Sequence, residues 1–290
     1  MTTTVGDDQR VLTPDLPPGQ RLALPGRGTT FVRTVPAPSG AATLLLLHGW
    51  TATADLNWFR CFAPLGEHFG VVAIDHRGHG QGIRSRRPFR LQDCADDAIA
   101  ACDELGIGDV IAVGYSMGGP VALHAWRRHR DRVRGLVLGA TAASFAGSRE
   151  ERMGFLGLGG LAALARVTPP PARRWLTEQL YLQRKASASR WEPWVAEQAA
   201  SHEWRMVLEA GRALGTFDAR PWIGEIDVPT TSLITMRDRI VSVRRQVRLH
   251  QAIPGCRAVR VEGDHDAVVV DPSFPGALVR ACRSVTERLA

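Results

Sequence analysis

A serine hydroxyl is a weak nucleophile until a neighbouring base takes its proton, and one serine of this chain stands in a setting built for such activation. Ser116 lies in Gly114-Tyr115-Ser116-Met117-Gly118-Gly119, a G-x-S-x-G turn that follows the apolar run Val110–Val113 and precedes a helix-like segment opening at Pro120. A strand–turn–helix context of this kind holds the serine in a strained conformation with its hydroxyl presented at the sheet edge, and the flanking glycines leave room for close backbone crossing. Among nine histidines, only His265 follows the last strand-like run, in Val261-Glu262-Gly263-Asp264-His265-Asp266. An orienting acid should precede it, and Asp238 comes just after the run Ser232–Thr235. No acid follows Leu136–Leu138, and Asp264 and Asp266 are too local to orient the far ring nitrogen. The expected chemistry is nucleophilic acyl transfer, with Ser116 as nucleophile, His265 as general base and then acid, and Asp238 holding the imidazole.

Those side chains need elements that bring them to one edge. Leu44–Leu47, Val71–Ile74, Val110–Val113, Leu136–Leu138 and Ser232–Thr235 are short runs of the kind that form strands buried on both faces, with Val259–Val261 a weaker sixth. Arg21–Leu24 and Thr30–Val35 read as a leading hairpin around Pro25–Gly28. Helical spacing predicts helices over Asp55–Phe69, Leu91–Leu105, Pro120–Arg130, Ser242–Ala252 and Ser273–Leu289. The alternation implies an α/β fold, a mostly parallel eight-stranded sheet flanked by helices. Residues 1–19 are a polar lead-in, residues 20–144 and 217–290 form the core, and residues 145–216 are an inserted helical cap or lid. The insertion begins with the Gly-rich apolar stretch Met153–Leu161 and carries Trp175, Trp191, Trp194 and Trp204, which either face substrate or pack on the core.

The order Ser116, Asp238, His265 resembles that of α/β-hydrolase-fold serine hydrolases, esterase- and lipase-like members with a helical cap. His48-Gly49-Trp50 is similar to their oxyanion motif at the end of the third strand, Asp75-His76-Arg77-Gly78-His79-Gly80 to their D-x-R-G-x-G turn, and Asp238-Arg239-Ile240-Val241 to their acid loop. The resemblance covers roughly residues 20–290. It implies an oxyanion hole made by the backbone N–H groups of Trp50 and Met117, with no metal or organic cofactor in any step. Two departures stand out. Asp264 replaces the glycine usual before the histidine, where a carboxylate could raise the histidine's pKa, and Gly82 replaces a common serine. Tyr115, Trp58 and Phe59 are further pocket candidates, and Trp58 and Phe59 either line an acyl pocket or pack the core. Asp75-His76-x-x-His79 lacks the geometry of a helical zinc motif and reads as a structural turn.

Composition sets outer limits. With 44% hydrophobic and 22% charged residues, the chain fits a globular class and excludes disordered and collagen-like ones. The net charge of +7 rests almost wholly on arginine, since Lys185 is the only lysine. The arginines are scattered, with local groups at Arg84–Arg90, Arg127–Arg134 and Arg237–Arg248, and no nucleic-acid module accompanies them. They either form solvated faces or bias the site toward anionic substrates. Five cysteines without metal-type spacing suggest free thiols in a reducing, cytoplasmic compartment, and no apolar stretch is long enough to span a bilayer. The expected activity is hydrolysis of a small-to-medium apolar carboxylic ester through an acyl-enzyme on Ser116. Thioester or C–C hydrolysis, acyl transfer, perhydrolysis, interfacial lipase action through the cap, and non-catalytic ligand binding are the alternatives. Oligomeric state is not encoded in any motif.

Overall fold

In a computed structural model, residues 13–167 and 192–289 are described. The strands are β1 (Gly19–Leu24), β2 (Gly28–Val35), β3 (Thr43–Leu47), β4 (Gly70–Ile74), β5 (Val110–Tyr115), β6 (Val133–Gly139), β7 (Thr230–Thr235) and β8 (Arg257–Val261). They form one eight-stranded sheet in the order β1-β2-β4-β3-β5-β6-β7-β8. β1 and β2 pair antiparallel, as does β2 with β4, and every later pairing is parallel. This is the α/β architecture that the sequence predicts.

Every second residue of the central strands faces one of two cores. Leu45, Leu47, Val72, Ile74, Ala112, Leu136 and Leu138 pack under α3 (Leu91–Glu104) and α4 (Gly118–Arg128). Leu44, Leu46, Val71, Ala73, Ile111, Val113 and Val137 pack under α1 (Ala54–Trp58), α2 (Phe62–Gly66) and the C-terminal helix. Covering on both faces is the reason these strands read as unbroken apolar runs. The single helix predicted over Asp55–Phe69 is instead two short ones, α1 and α2. Pro64 is the cause: in a continuous helix its ring would meet the Arg60 carbonyl, whereas the restart at Phe62 leaves it in a first turn. β8 is an exposed edge, where Arg257 and Arg260 discourage pairing with another strand.

Between β6 and β7 the chain forms α5 (Arg149–Val167), α6 (Glu192–Ala200) and α7 (Trp204–Thr216). Ser144 and Asp218 form an antiparallel bridge, and the Ala219 N–H donates to the Ala143 carbonyl at 2.8 Å, so this segment leaves and rejoins the core side by side. α8 (Val243–Ala252), α9 (Ala267–Val270) and α10 (Phe274–Thr286) complete the chain.

Four histidines stack where the inserted segment meets the sheet edge. The ring of His48 lies 4.2 Å from that of His76 and 5.3 Å from that of His79, and His79 lies 5.4 Å from His202. His48 Nδ1 donates to the Gly49 carbonyl and its Nε2 accepts from the His76 N–H, a pairing available only to the neutral ring. Burial first holds all four neutral, joined by neighbouring rings at His48, His76 and His79 and by the charge of Arg84 at His202: His76 falls to about 3, His202 to about 4, and His48 and His79 lie well below the usual 6.5. Asp75, beside them, accepts from the Ala54 and Gln81 N–H groups at 2.8 and 2.7 Å, yet burial still raises it to about 7.

These shifts set the acid side of the stability curve. A histidine depressed in the fold contributes stability above about 6.5, its unfolded value, and loses it as pH falls toward the folded value. Asp75 acts in the opposite sense, since its contribution grows as pH falls from about 7. Four histidines outweigh one aspartate. The unfolding free energy from urea denaturation should therefore drop between pH 7 and pH 5, by about 1.4 kcal/mol per pH unit for each net proton taken up on unfolding, and the midpoint with it. A midpoint unchanged or raised at pH 5 would contradict the neutral cluster.

Candidate active site

The parallel strands end at a common edge, and the register there decides what meets. Leu47 of β3 is paired with Gly114 of β5, so His48-Gly49-Trp50 continues alongside Tyr115 and Ser116. Ser116 has φ +53°, a left-handed value rare for a residue with a side chain. Contacts on every side hold it there: its N–H donates to the Gly139 carbonyl at 2.9 Å, and its carbonyl accepts from Thr141 Oγ1 at 2.8 Å and from the Gly119 N–H at 3.0 Å. A Cβ on Gly118 would overlap the Leu47 carbonyl, and one on Gly114 would overlap the Gly118 carbonyl. The two glycines of the motif are required by this close approach.

His265 and Asp238 arrive from the two strands on the far side of β6. His265 Nε2 lies 2.9 Å from Ser116 Oγ, and His265 Nδ1 lies 2.9 Å from Asp238 Oδ2. Asp238 is fully buried. Its Oδ1 accepts from the Ile240 and Val241 N–H groups, and its Oδ2 from Thr235 Oγ1 at 2.7 Å and Gln246 Nε2 at 3.0 Å as well as from His265. A carboxylate so supplied with donors is held in one orientation. The His265 Nδ1–H therefore points at Asp238, and Nε2 is the nitrogen left to accept the Ser116 proton.

Tyr115 is not a pocket wall. It is buried, and its Oη donates to the His265 carbonyl at 2.9 Å, which anchors the histidine loop to the strand that carries Ser116. Trp58 packs edge-on to Tyr115 at 6.3 Å and is 1% exposed, so it takes the core alternative rather than the pocket. Phe59 is half-buried and packs edge-on to Trp194 of α6 at 5.5 Å. Trp175 and Trp191 lie outside the described residues. The Trp50 indole N–H donates to the Val207 carbonyl of α7 at 2.7 Å, tying the loop after β3 to the inserted segment. Asn57 Oδ1 accepts from the Gly49 N–H at 3.0 Å. The N–H groups of Trp50 and Met117 donate to no group among the described residues.

Asp264 does not aim its charge at the imidazole. Its Oδ1 accepts from the Arg239 N–H at 3.0 Å and the His265 N–H at 2.7 Å, and its Oδ2 pairs with the Arg239 guanidinium. Those backbone donors, Arg239 first, hold the carboxyl at about 2, and the result is a clamp between the acid loop and the histidine loop. The arginine groups are also largely engaged: Arg84 donates to the Gly80, Gly82 and Ser201 carbonyls, and Arg245 pairs with Glu151. Gln246 and Thr235 carry no sequence signal. Gln246 looks like an ordinary polar position on an amphipathic helix, and only packing of α8 against β7 turns it toward Asp238.

A family model described as the alpha/beta hydrolase fold matches residues 42–272. The pimeloyl-[acyl-carrier protein] methyl ester esterase of Neisseria meningitidis serogroup A is 29% identical over 231 residues, covering 78% of this chain and 71% of that protein. Among solved structures, the esterase from Exiguobacterium antarcticum matches with TM-score 0.74 at 19% identity, covering 91% of this chain and 99% of its own. The enol-lactonase from Burkholderia xenovorans LB400 matches with TM-score 0.72 at 23% identity, covering 91% and 100%. At these identities the two structures testify to the fold alone.

The Gln246 amide links Thr235, Asp238 and the Val241 carbonyl in one buried network. Gln246→Leu, of similar volume, leaves those groups short of partners and should cost about 1–3 kcal/mol in urea denaturation. If stability is untouched, the network contributes nothing to the fold.

Proposed function

The chain belongs to the alpha/beta hydrolase fold family, and on that premise we propose that it is a serine esterase whose reacting groups are Ser116, His265 and Asp238. The observation that carries the reading is the unbroken relay at 2.9 Å from Ser116 Oγ to His265 Nε2 and at 2.9 Å from His265 Nδ1 to Asp238 Oδ2. His265 takes the Ser116 proton as Oγ attacks the acyl carbon of the ester. The resulting oxyanion is received by the Trp50 and Met117 N–H groups, whose freedom from internal acceptors supports that role. His265 then protonates the departing alkoxide and leaves an acyl-enzyme. Water, deprotonated by the same histidine, attacks the acyl carbon, and Ser116 is regenerated as the acid departs. Asp238 balances the imidazolium in both halves of the reaction.

The described helices of the expected cap, α5 to α7, lie over this edge and act as its cover. The Trp50–Val207 hydrogen bond and the Phe59–Trp194 contact support the placement. Met153, Leu156, Leu161 and Leu164, exposed on α5, give the cap an apolar character that suits a substrate with an apolar acyl or alcohol part. No helix among the described residues is long and apolar enough to cross a membrane. All five cysteines are free, four of them buried, which supports a reducing, cytoplasmic setting.

Ser116→Ala should lower kcat/KM for a p-nitrophenyl butyrate substrate by about 10³-fold or more, with the urea midpoint unchanged. A fluorophosphonate probe should label the native chain at Ser116 and not the variant. Retained turnover in Ser116→Ala rules out the mechanism, and an unreactive Ser116 that still binds esters favours a binding protein. A screen of ester and thioester chain lengths on the native chain then separates the substrate classes that share this chemistry.

A further inference from the structure

A second concave site lies away from Ser116. A cleft of about 690 Å³ opens between the core helices α3 and α4 and the inserted helices α5 and α7, and neither Ser116, His265, Trp50 nor Met117 lines it. α7 separates the two sides: Val207 and Gly211 face Trp50, while Arg212 and Ala213 face the cleft. The volume is in the range of small-ligand sites.

The charge of the cleft is unbalanced. Arg90, Arg127 and Arg212 line it, are exposed, and have no carboxylate partner among the described residues. The acids on the same wall are already engaged. Glu209 accepts from the Phe89 N–H and pairs with Arg205, and Asp218 pairs with Arg220. Most arginines elsewhere in the groups at 84–90, 127–134 and 237–248 are bonded to carboxylates or carbonyls, whereas the three guanidinium groups gathered around this one concavity have no carboxylate partner among the described residues. Like charges in a concave site focus a field that attracts anions.

The floor is aromatic. Arg127 lies over the Trp222 ring at 4.5 Å, and His124 packs against Phe217 at 5.6 Å and Trp222 at 6.1 Å. Burial first, then the charges of Arg128 and Arg127, lowers His124 to about 4, so at neutral pH it is an uncharged ring able to donate and accept one hydrogen bond each. Guanidinium groups pair in a planar fork with carboxylate or phosphate oxygens, and Trp222 and Phe217, both largely buried, give the base of the cleft an apolar edge on which a small flat body can rest.

We propose that this cleft is a binding site for a small aromatic acid, a flat ring bearing a carboxylate or phosphate, held by Arg90, Arg127 and Arg212 against the Trp222–Phe217–His124 floor. The site is separate from the ester-cleaving edge and does not depend on its chemistry.

Isothermal titration of the full chain with benzoate and with phenyl phosphate tests it, with benzyl alcohol as the uncharged control. Saturable binding of at least one acid is expected, tighter than that of benzyl alcohol and weakening as salt is raised. The double variant Arg127→Gln/Arg212→Gln, in which both changed residues are exposed, should lose about tenfold or more in affinity, while Arg248→Gln, at an arginine outside the cleft, should lose none. Unchanged binding in Ser116→Ala places the ligand away from the nucleophile, and the relative affinity of the two probes identifies the anionic head group. Absence of saturable binding by both acids, equal affinity for benzyl alcohol, equal loss in Arg248→Gln, or full affinity in the double variant overturns the assignment. Matched thermal melts of the variants ensure that any loss reflects the site.

Discussion

The chain approaches itself most closely where the turn from β5 into α4 passes over the end of β3. The space there admits backbone and nothing more: a side chain on Gly118 would collide with the Leu47 carbonyl, and one on Gly114 with the Gly118 carbonyl. Forced through that gap, the turn can proceed only with Ser116 at positive φ, an arrangement that costs on the order of 1–3 kcal/mol and persists only when its surroundings over-determine it. The hydrogen bond from Thr141, the one from the Ser116 N–H to the Gly139 carbonyl, and the helix that starts two residues later provide that over-determination. Everything else at the sheet edge is arranged around a hydroxyl whose position the backbone has already decided.

The polar groups at this edge are buried by two different strategies. Asp238 is satisfied by donors from the acid loop, β7, α8 and the histidine loop that converge on both its oxygens. An isolated buried carboxylate would cost far more than any one of those bonds returns, so the whole set must form together. The histidines at 48, 76, 79 and 202 have no carboxylate among them to offset desolvation, and desolvation wins: they stay neutral and pack as rings. One arrangement orients the His265 ring and the other cements the inserted helices to the loop after β3.

The arginine excess resolves into several local roles. Arg77 and Arg33 are closed against Asp97 and Asp55 inside the fold, Arg84 joins the turn after β4 to the chain before α7, and Arg239 clamps the acid loop through Asp264. None of these is a broad basic face of the sort that binds nucleic acid. Three guanidinium groups with no carboxylate partner among the described residues gather around one cleft on the far side of α7.

Strand identity and order of function-bearing loops were legible in the sequence because burial on both faces writes an unbroken apolar run and because a strand–turn–helix crossing leaves glycines at fixed positions. Hence Ser116, Asp238 and His265 could be picked out before any coordinates, as could the eight-stranded α/β sheet. Contacts made across the sheet left no such trace. Nothing in the spacing of Gln246 distinguishes a partner of Asp238 from a solvent-facing amide, Tyr115 read as a pocket wall although its hydroxyl holds the His265 loop, and Trp58 was open between core and pocket until its neighbours were known. The break between α1 and α2 needed only Pro64, but the fate of each arginine needed its partner. Periodicity and turn chemistry are properties of neighbouring residues, so the sequence alone determined elements, order and candidate nucleophile. Which polar groups pair, which charges lack a partner and where a cleft opens depend on residues from separate elements, from eight positions apart for Gln246 and Asp238 to 150 for Tyr115 and His265, and those only the tertiary structure decided.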